Sequence, residues 1–176
     1  MVEWKSIEQL GCFIGGLTGK SKSDFENGNS YFITYMNVFS NPSLDISTVG
    51  SVQINEGEKQ NKIQKGDILF TGSSETPDEG GMSCVVTDEL FEDFYLNSFC
   101  FALRLHNPEL YNLHYFKHVF RSHAVRKAIS KTASGVTRFN ISKARFSKIQ
   151  IPIPSLSEQS HIVGILDTFT ASIANL

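Results

Sequence analysis

The alternation of hydrophobic and polar positions predicts strands through most of the first 105 residues. Residues 31–39 are dense in aromatic and β-branched side chains, and residues 49–54 alternate, so both stretches are predicted as strands. Residues 66–72 run from a turn into a buried strand, and residues 82–87 close a hairpin-like unit with it. Residues 96–105 carry apolar or small side chains on both faces, which predicts a central strand. One predicted face of that strand holds Phe99, Phe101, Leu103 and Leu105, and the other holds Cys100 and Ala102.

Helical spacing replaces the strand pattern after residue 106. Asn107 followed by Pro108 predicts the N-cap and first position of a helix. Ser122 is predicted either to interrupt this helix or to cap a second one that runs to Lys131. Isoleucines alternate with prolines through residues 149–153, which indicates an edge strand or extended segment. The chain is therefore predicted to be a mixed α+β domain with a twisted mixed sheet.

The last segment has the most regular pattern. Ser155 and Glu158 fit a capping box. The apolar positions that follow are spaced by four and three residues in turn: Ile162, Leu166, Phe169, Ile173 and Leu176. This is a coiled-coil seam, too short to pair stably alone. A helix packed on its own domain is the common alternative. Because the pattern reaches the final residue without a C-cap, we favour a helix that pairs with a partner or continues in a longer chain. We expect a domain over residues 1–154 and this helix over residues 155–176.

Composition places the chain among globular proteins. The 176 residues are 40% hydrophobic and include 14 phenylalanines, enough for one core, which excludes disorder and collagen-like classes. No apolar run approaches the roughly 20 residues that span a bilayer, so no membrane association is predicted. The first residues do not resemble a signal peptide. Three scattered cysteines, Cys12, Cys84 and Cys100, are expected to be buried thiols in a reducing cytoplasm.

Charge is distributed unevenly along the chain. The formal net charge of −2 by itself counts against a nucleic-acid partner. Residues 110–157, however, contain nine basic side chains and no acid, whereas the remainder holds seven basic and all 18 acidic side chains. Such asymmetry suggests a polyanion-binding face. On charge alone, a helix that merely exposes a basic side is an equally good explanation.

No catalytic or metal-binding motif stands out. His114 and His118 share a predicted helix face but lack the glutamate and further ligands of a zinc site, and the cysteines lack paired spacing. Asn107-Pro108 resembles a methyltransferase motif only distantly, and a helix cap explains it better. We therefore predict no metal, no cofactor and no enzymatic activity.

Residues 132–145 have the composition of a DNA-reading loop. Arginine suits guanine edges and asparagine suits adenine, while serine, threonine and lysine contact phosphates. Residues 15–23 form a second polar loop, and residues 73–81 form an acidic one that would read cytosine amino groups or face solvent, of which we favour solvent. The residues predicted to contact DNA are Lys20, Lys22, Lys131, Ser134, Thr137, Arg138, Asn140, Lys143 and Arg145.

At residues 152–167 the chain reads PIPSLSEQSHIVGILD. This resembles the IPLPPLxEQxxIVxxLD junction of type I restriction–modification specificity subunits, which joins a target recognition domain to a conserved spacer helix. Three further stretches are similar to the family: residues 4–18 to its N-terminal Trp…Leu-Gly…Gly-Gly-x-Thr opening, residues 65–69 to its Gly-Asp-Ile-Leu strand, and residues 134–148 to its Ser/Gly-rich loop.

Two positions depart from the pattern, since Gly19 and Ser155 stand where the family often has proline. The resemblance implies a target recognition domain that reads one half of a bipartite double-stranded DNA target. It also implies a non-catalytic scaffold for methyltransferase (modification) and restriction subunits in the cytoplasm. Family members usually carry two recognition domains and two spacer helices. This chain would therefore be a half-subunit that forms a homodimer, a truncated product or an excised domain, pairing through its helix with a second recognition domain. A helix-mediated interaction module with little DNA binding is the alternative.

Overall fold

The structure, a computed structural model, describes residues 1–174 of the chain. Its twelve strands are β1 (Glu3–Ser6), β2 (Gly11–Gly15), β3 (Ser30–Ile33), β4 (Gly50–Val52), β5 (Asp67–Thr71), β6 (Ser73–Ser74), β7 (Ser83–Val85), β8 (Phe94–Leu96), β9 (Cys100–Leu105), β10 (Ala133–Gly135), β11 (Phe139–Ile141) and β12 (Gln150–Ile153). Its six α-helices are α1 (Ile7–Leu10), α2 (Tyr35–Ser40), α3 (Leu113–Val119), α4 (His123–Ser130), α5 (Lys143–Phe146) and α6 (Leu156–Ala174).

A four-stranded antiparallel sheet in the order β2-β9-β5-β7 forms the centre of the domain. The predicted strands at residues 66–72 and 82–87 are confirmed as β5 and β7, and they pair with each other as expected. The predicted central position is also confirmed, because β9 lies between β2 and β5.

Apolar residues cover both faces of this sheet. On one face, Phe70 of β5 and Phe101 of β9 pack with Phe116, Phe120 and Phe146 from the helices. On the other face, the core is built from smaller side chains of the same strands together with β3, α2 and β8: Ile33, Val38, Leu69, Cys84, Val86, Leu96, Cys100 and Ala102. This burial on both sides explains why β9 shows no polar face in the sequence.

Three smaller sheets surround the central one. Strands β4, β3 and β8 form a sheet in which β3 pairs antiparallel with β4 and parallel with β8, so the overall architecture is mixed. β1 pairs with the proline-containing β12, which confirms the extended segment predicted at residues 149–153. The third sheet, β10-β11-β6, belongs to the surface described below.

The strand predicted over residues 31–39 is wrong in its second half. The chain leaves β3 after Ile33, and Thr34 caps helix α2, with its hydroxyl accepting a hydrogen bond from the Asn37 N–H at 3.1 Å. The Asn37 side chain, which is buried, then hydrogen-bonds to the backbone of Asp45. These side-chain bonds to the backbone outweigh the β-propensity of the aromatic residues.

A second difference concerns the start of the helical region. Pro108–Leu110 forms only a 3₁₀ turn, and the cap of α3 is Asn112, whose side chain accepts from the His114 N–H at 3.1 Å. Asn107 is therefore wrong as the helix cap, because the turn at Pro108 ends before the helix begins. Ser122 does precede α4 as predicted.

A third difference concerns exposure. The predicted strand over residues 96–105 is interrupted by a turn, and Phe99 is 59% exposed instead of facing the core. Cys84 and Cys100 are buried, and burial raises the pKa of each thiol to about 12. Cys12, on the edge strand β2, is exposed, contrary to expectation.

The first half of α6 packs against the domain. Ser155 and Glu158 form the predicted capping box, and Gln159 is buried. Further along, Asp167 accepts hydrogen bonds from Lys117 and His118 of α3. Burial opposes ionisation of Asp167, but these two donors outweigh it, so the pKa of the carboxyl lies below its ordinary value. Within residues 1–174, no helix is long and apolar enough to cross a membrane.

Candidate nucleic-acid interface

The central sheet brings the polar loops of the sequence to one end of the domain. β2 and β5 end there, at Gly15 and Thr71, and β9 begins there at Cys100. The loop after Gly15, the turn before Cys100 and the segment from Gly72 to Met82 therefore emerge side by side. Segments separated by more than 50 residues in sequence thus share one surface.

A hairpin of β10 and β11 projects from this end. It is anchored to the domain because β11 also pairs with β6, Asn140 opposite Ser73. Its turn is exposed, and Val136 at the tip is 91% exposed. Gly135 permits the tight turn, because a Cβ there would collide with the carbonyl oxygen of Arg138.

The hairpin carries four of the predicted DNA-contacting residues: Ser134, Thr137, Arg138 and Asn140. All four are exposed, and none of these side chains hydrogen-bonds to another part of residues 1–174. The Arg138 guanidinium lies over the Phe99 ring, 5.9 Å from its centroid, and Lys143 Nζ lies 5.1 Å from the centroid of the Phe101 ring. These cation–π contacts orient the two cations without consuming their hydrogen-bond donors.

Lys20 does not join this surface. Its Nζ lies 2.7 Å from Glu58 Oε2 and also donates to the Gln53 carbonyl, and its side chain is only 6% exposed. The Asn55 N–H and then Lys20 hold the pKa of the Glu58 carboxyl at about 2. Lys20 is thus engaged within the fold and is withdrawn from the predicted DNA contacts, whereas Lys22 in the same loop is exposed.

Residues 110–157, the basic window, contain several cations that bond to other groups of the fold. Arg121 and Arg126 donate to backbone carbonyls, and burial lowers the pKa of both guanidinium groups. Arg145, a predicted contact, is exposed but donates to the carbonyls of Lys131 and Thr132.

Lys117 and Lys148 are paired with Asp167 and Glu8. Among the described residues, four basic side chains of the window have no hydrogen-bonded or ionic partner: Lys127, Lys131, Arg138 and Lys143.

Two clefts flank Phe99 at the base of the hairpin. The larger, about 270 Å³, is lined by Tyr35, Met36, Phe39, Ser73, Ser74, Glu75, Glu79, Phe99 and Arg138. The smaller, about 220 Å³, is lined on its hairpin side by Asn140 and Lys143. The Tyr35 hydroxyl donates to the Ser73 carbonyl at 2.7 Å, and burial raises the pKa of Tyr35.

The sequence did not reveal Tyr35, Met36 and Phe99 as surface residues, because they lie in stretches whose hydrophobicity predicted strand interiors. The polar pair Asn97-Ser98 before Phe99 was the only local signal that the strand is interrupted.

The fold is that of the S subunits of type I restriction–modification systems. The chain superposes on the S subunit from M. genitalium with a TM-score of 0.62 at 18% identity, covering 99% of this chain and 41% of that one. The HsdS subunit from Thermoanaerobacter tengcongensis gives a TM-score of 0.64 at 18% identity, with 99% and 38% covered. A chain from a study of complex assembly and conformational transition of the type I R-M system gives 0.66 at 20% identity, with 99% and 39% covered.

The chain belongs to the type I restriction modification DNA specificity domain family, whose model matches residues 1–176. It is 33% identical over 138 residues to the StySPI specificity subunit of Salmonella potsdam and 32% identical over 138 residues to the EcoKI specificity subunit of Escherichia coli K12. These alignments cover 78% of the chain but 29% of each relative, so the chain matches under a third of their length. The mixed α/β fold and the specificity-subunit resemblance inferred from the sequence are thereby confirmed.

Proposed function

We propose that residues 1–154 bind double-stranded DNA sequence-specifically and read one half of a bipartite target. The observation that carries this proposal is the hairpin, where Arg138 and Asn140 project with free hydrogen-bond donors beside Lys131 and Lys143. A projecting, anchored ribbon of this kind can enter a major groove, where arginine and asparagine distinguish guanine and adenine. The exposed lysines would contact phosphates and set the register.

Replacing Arg138 by alanine is expected to weaken binding to the target by about 1–3 kcal/mol and to relax discrimination at one base pair. Lys131→Ala is expected to weaken binding to all duplexes alike and to reduce the salt slope by about 1, since a phosphate contact is lost. Sequencing the sites methylated by the assembled enzyme would supply the target. Fluorescence anisotropy with that duplex and its single-base variants then measures both effects.

Lys148→Ala provides a matched control, because Lys148 is exposed but lies in an ion pair with Glu8 outside the hairpin surface. It should leave both affinity and specificity unchanged. If Arg138→Ala lowers the affinity for every duplex by the same factor, Arg138 contacts a phosphate and not a base.

For α6, we propose that the helix pairs with a second helix, from a second recognition domain or from another copy of the chain. The apolar side chains that support this are Ile165, Leu166, Phe169 and Ile173, which are 37–70% exposed. The predicted seam residue Ile162 instead packs against the domain's own core, and Leu176 lies outside the described residues. The free seam is therefore displaced toward the end of the helix.

Phe169→Glu is expected to abolish self-association of the chain, because it places a charge within the proposed seam. Sedimentation equilibrium over a range of concentrations measures this. Thr168→Glu, on the adjacent position of the helix, is the control and should have a smaller effect. Identical monomeric behaviour of the parent chain and Phe169→Glu would exclude a homodimer and leave a second, different domain as the partner.

In the assembled system, we propose that the chain acts without catalysis, in the cytoplasm, as a scaffold for modification and restriction subunits. The exposed seam also fits a second function, an interaction module with little DNA binding of its own. Gel-shift titration at low salt separates the two, since absence of any duplex binding would favour the interaction module.

A further inference from the structure

The larger cleft beside Phe99 has a composition that the groove-reading role of the hairpin does not use. One part of its wall is aromatic and apolar, formed by Tyr35, Met36, Phe39 and Phe99, with Tyr35 and Phe39 stacked 6.1 Å apart at 17°. Met36 and Phe99 are 60% and 59% exposed, so this apolar surface opens to solvent.

One residue of the cleft wall carries a buried hydroxyl without a partner among the described residues. Ser73 is 4% exposed, and its Oγ makes no hydrogen bond to any described residue. An unpaired buried hydroxyl destabilises a fold unless a ligand or water satisfies it. Ser73 lines both clefts, so a ligand in either one lies next to the residue that carries the free hydroxyl.

The charged groups of the cleft select the kind of ligand. Glu75 and Glu79 would repel a phosphate, but they can accept hydrogen bonds from an amino group. Arg138 also lines the cleft, but its guanidinium belongs to the groove-reading hairpin. Flat aromatic walls and carboxylate acceptors together match a planar heterocycle that bears an exocyclic amino group.

We propose that this cleft receives a cytosine base turned out of the duplex, stacked on the Phe99 side of the wall. Its N4 amino group would donate to a cleft carboxylate and a ring acceptor would take a bond from Ser73 Oγ, while Arg138 remains with the groove-reading hairpin. The proposal rests on the proposed function, because it requires that this end of the domain contacts DNA. It assigns to the acidic segment after Ser73 a role in base recognition instead of the solvent exposure expected from the sequence.

Binding to duplexes that contain one unpaired base tests the cleft directly. An unpaired base need not be pulled out of a base pair, so a duplex with a single bulged cytosine should bind roughly tenfold more tightly than the fully paired duplex. A bulged thymine, which lacks the amino group, or a bulged abasic site should bind no better than the paired duplex. Fluorescence anisotropy with the full chain and these four duplexes measures the preference.

Two variants locate the effect. Ser73→Ala removes only the unpaired hydroxyl and is expected to reduce the cytosine preference severalfold while the paired duplex still binds. Phe99→Ala removes the stacking surface and should also reduce the preference, but it is expected to weaken the paired duplex too, because Arg138 lies over that ring. Ser83→Ala is the matched control, because Ser83 is also buried with an unpartnered Oγ but lies on β7 outside the cleft. It should retain the full preference.

The outcomes separate this proposal from the proposed function. If paired duplex binds but bulged cytosine, thymine and abasic duplexes bind alike, the base cleft is wrong and duplex recognition stands. If Ser83→Ala loses the preference as strongly as Ser73→Ala, the effect is not located in the cleft and the assignment is overturned. If no duplex binds at low salt, both proposals fail.

Discussion

Replacing Phe70 by alanine is expected to lower the free energy of unfolding by about 3–5 kcal/mol. Phe70 is fully buried, and its ring lies 5.0 Å from the rings of Phe120 and Phe146 and 5.5 Å from that of Phe101. The ring thus joins the central sheet to the two segments that carry Phe120 and Phe146. Its removal leaves a cavity that neither of them can fill by moving alone, because both are packed in the same core.

Urea denaturation followed by circular dichroism measures this loss as a lower midpoint with an unchanged slope. Phe91→Ala is the matched control, since Phe91 is 94% exposed and its removal should change stability by less than about 0.5 kcal/mol. Equal loss in the two variants would contradict a core built around Phe70.

The second large effect is expected at Arg121. Its guanidinium donates to the carbonyl oxygens of Ser83, Val38 and Phe39, at 2.6–3.3 Å, and so ties the turn between α3 and α4 to β7 and α2. Arg121→Ala leaves these carbonyls without their donor, and we expect a loss of about 2–4 kcal/mol of unfolding free energy. The same denaturation experiment measures it.

Lys127 supplies the contrast, because it is also a cation of the basic window but is exposed without a partner among the described residues. Lys127→Ala should change stability by less than about 0.5 kcal/mol. An Arg121→Ala protein as stable as the parent would show that the Arg121 contacts do not stabilise the fold.

The hydrophobic pattern predicted strands well where a whole segment is buried in the same way. β5, β7 and β9 were recovered, because residues buried on both faces of a sheet form continuous apolar runs. The pattern failed at residues 31–39, where a single hydroxyl, that of Thr34, caps a helix in a stretch of strand-forming residues. Aromatic side chains are compatible with either conformation, so the hydrogen bond decides between them.

The candidate site was predicted in part. The hairpin residues Arg138 and Asn140 were identified from residue type, and they are exposed where a ligand can reach them. Lys20 was not distinguishable from Lys22 in sequence, since its partner Glu58 lies 38 residues away. The aromatic cleft was missed for the same reason, because Tyr35 and Phe99 meet only through the pairing of β3 with β8 and the turn that follows.

By itself the sequence determined the alternation that builds the central sheet, the capped helix that begins at Leu156, and the family to which the chain belongs. Only the tertiary structure decided which cations are free and which aromatic rings are exposed. Periodicity and capping are local, depending on neighbours within a few positions. The partners of Arg121 and Lys148, in contrast, lie up to 83 and 140 residues away, and no local pattern records them.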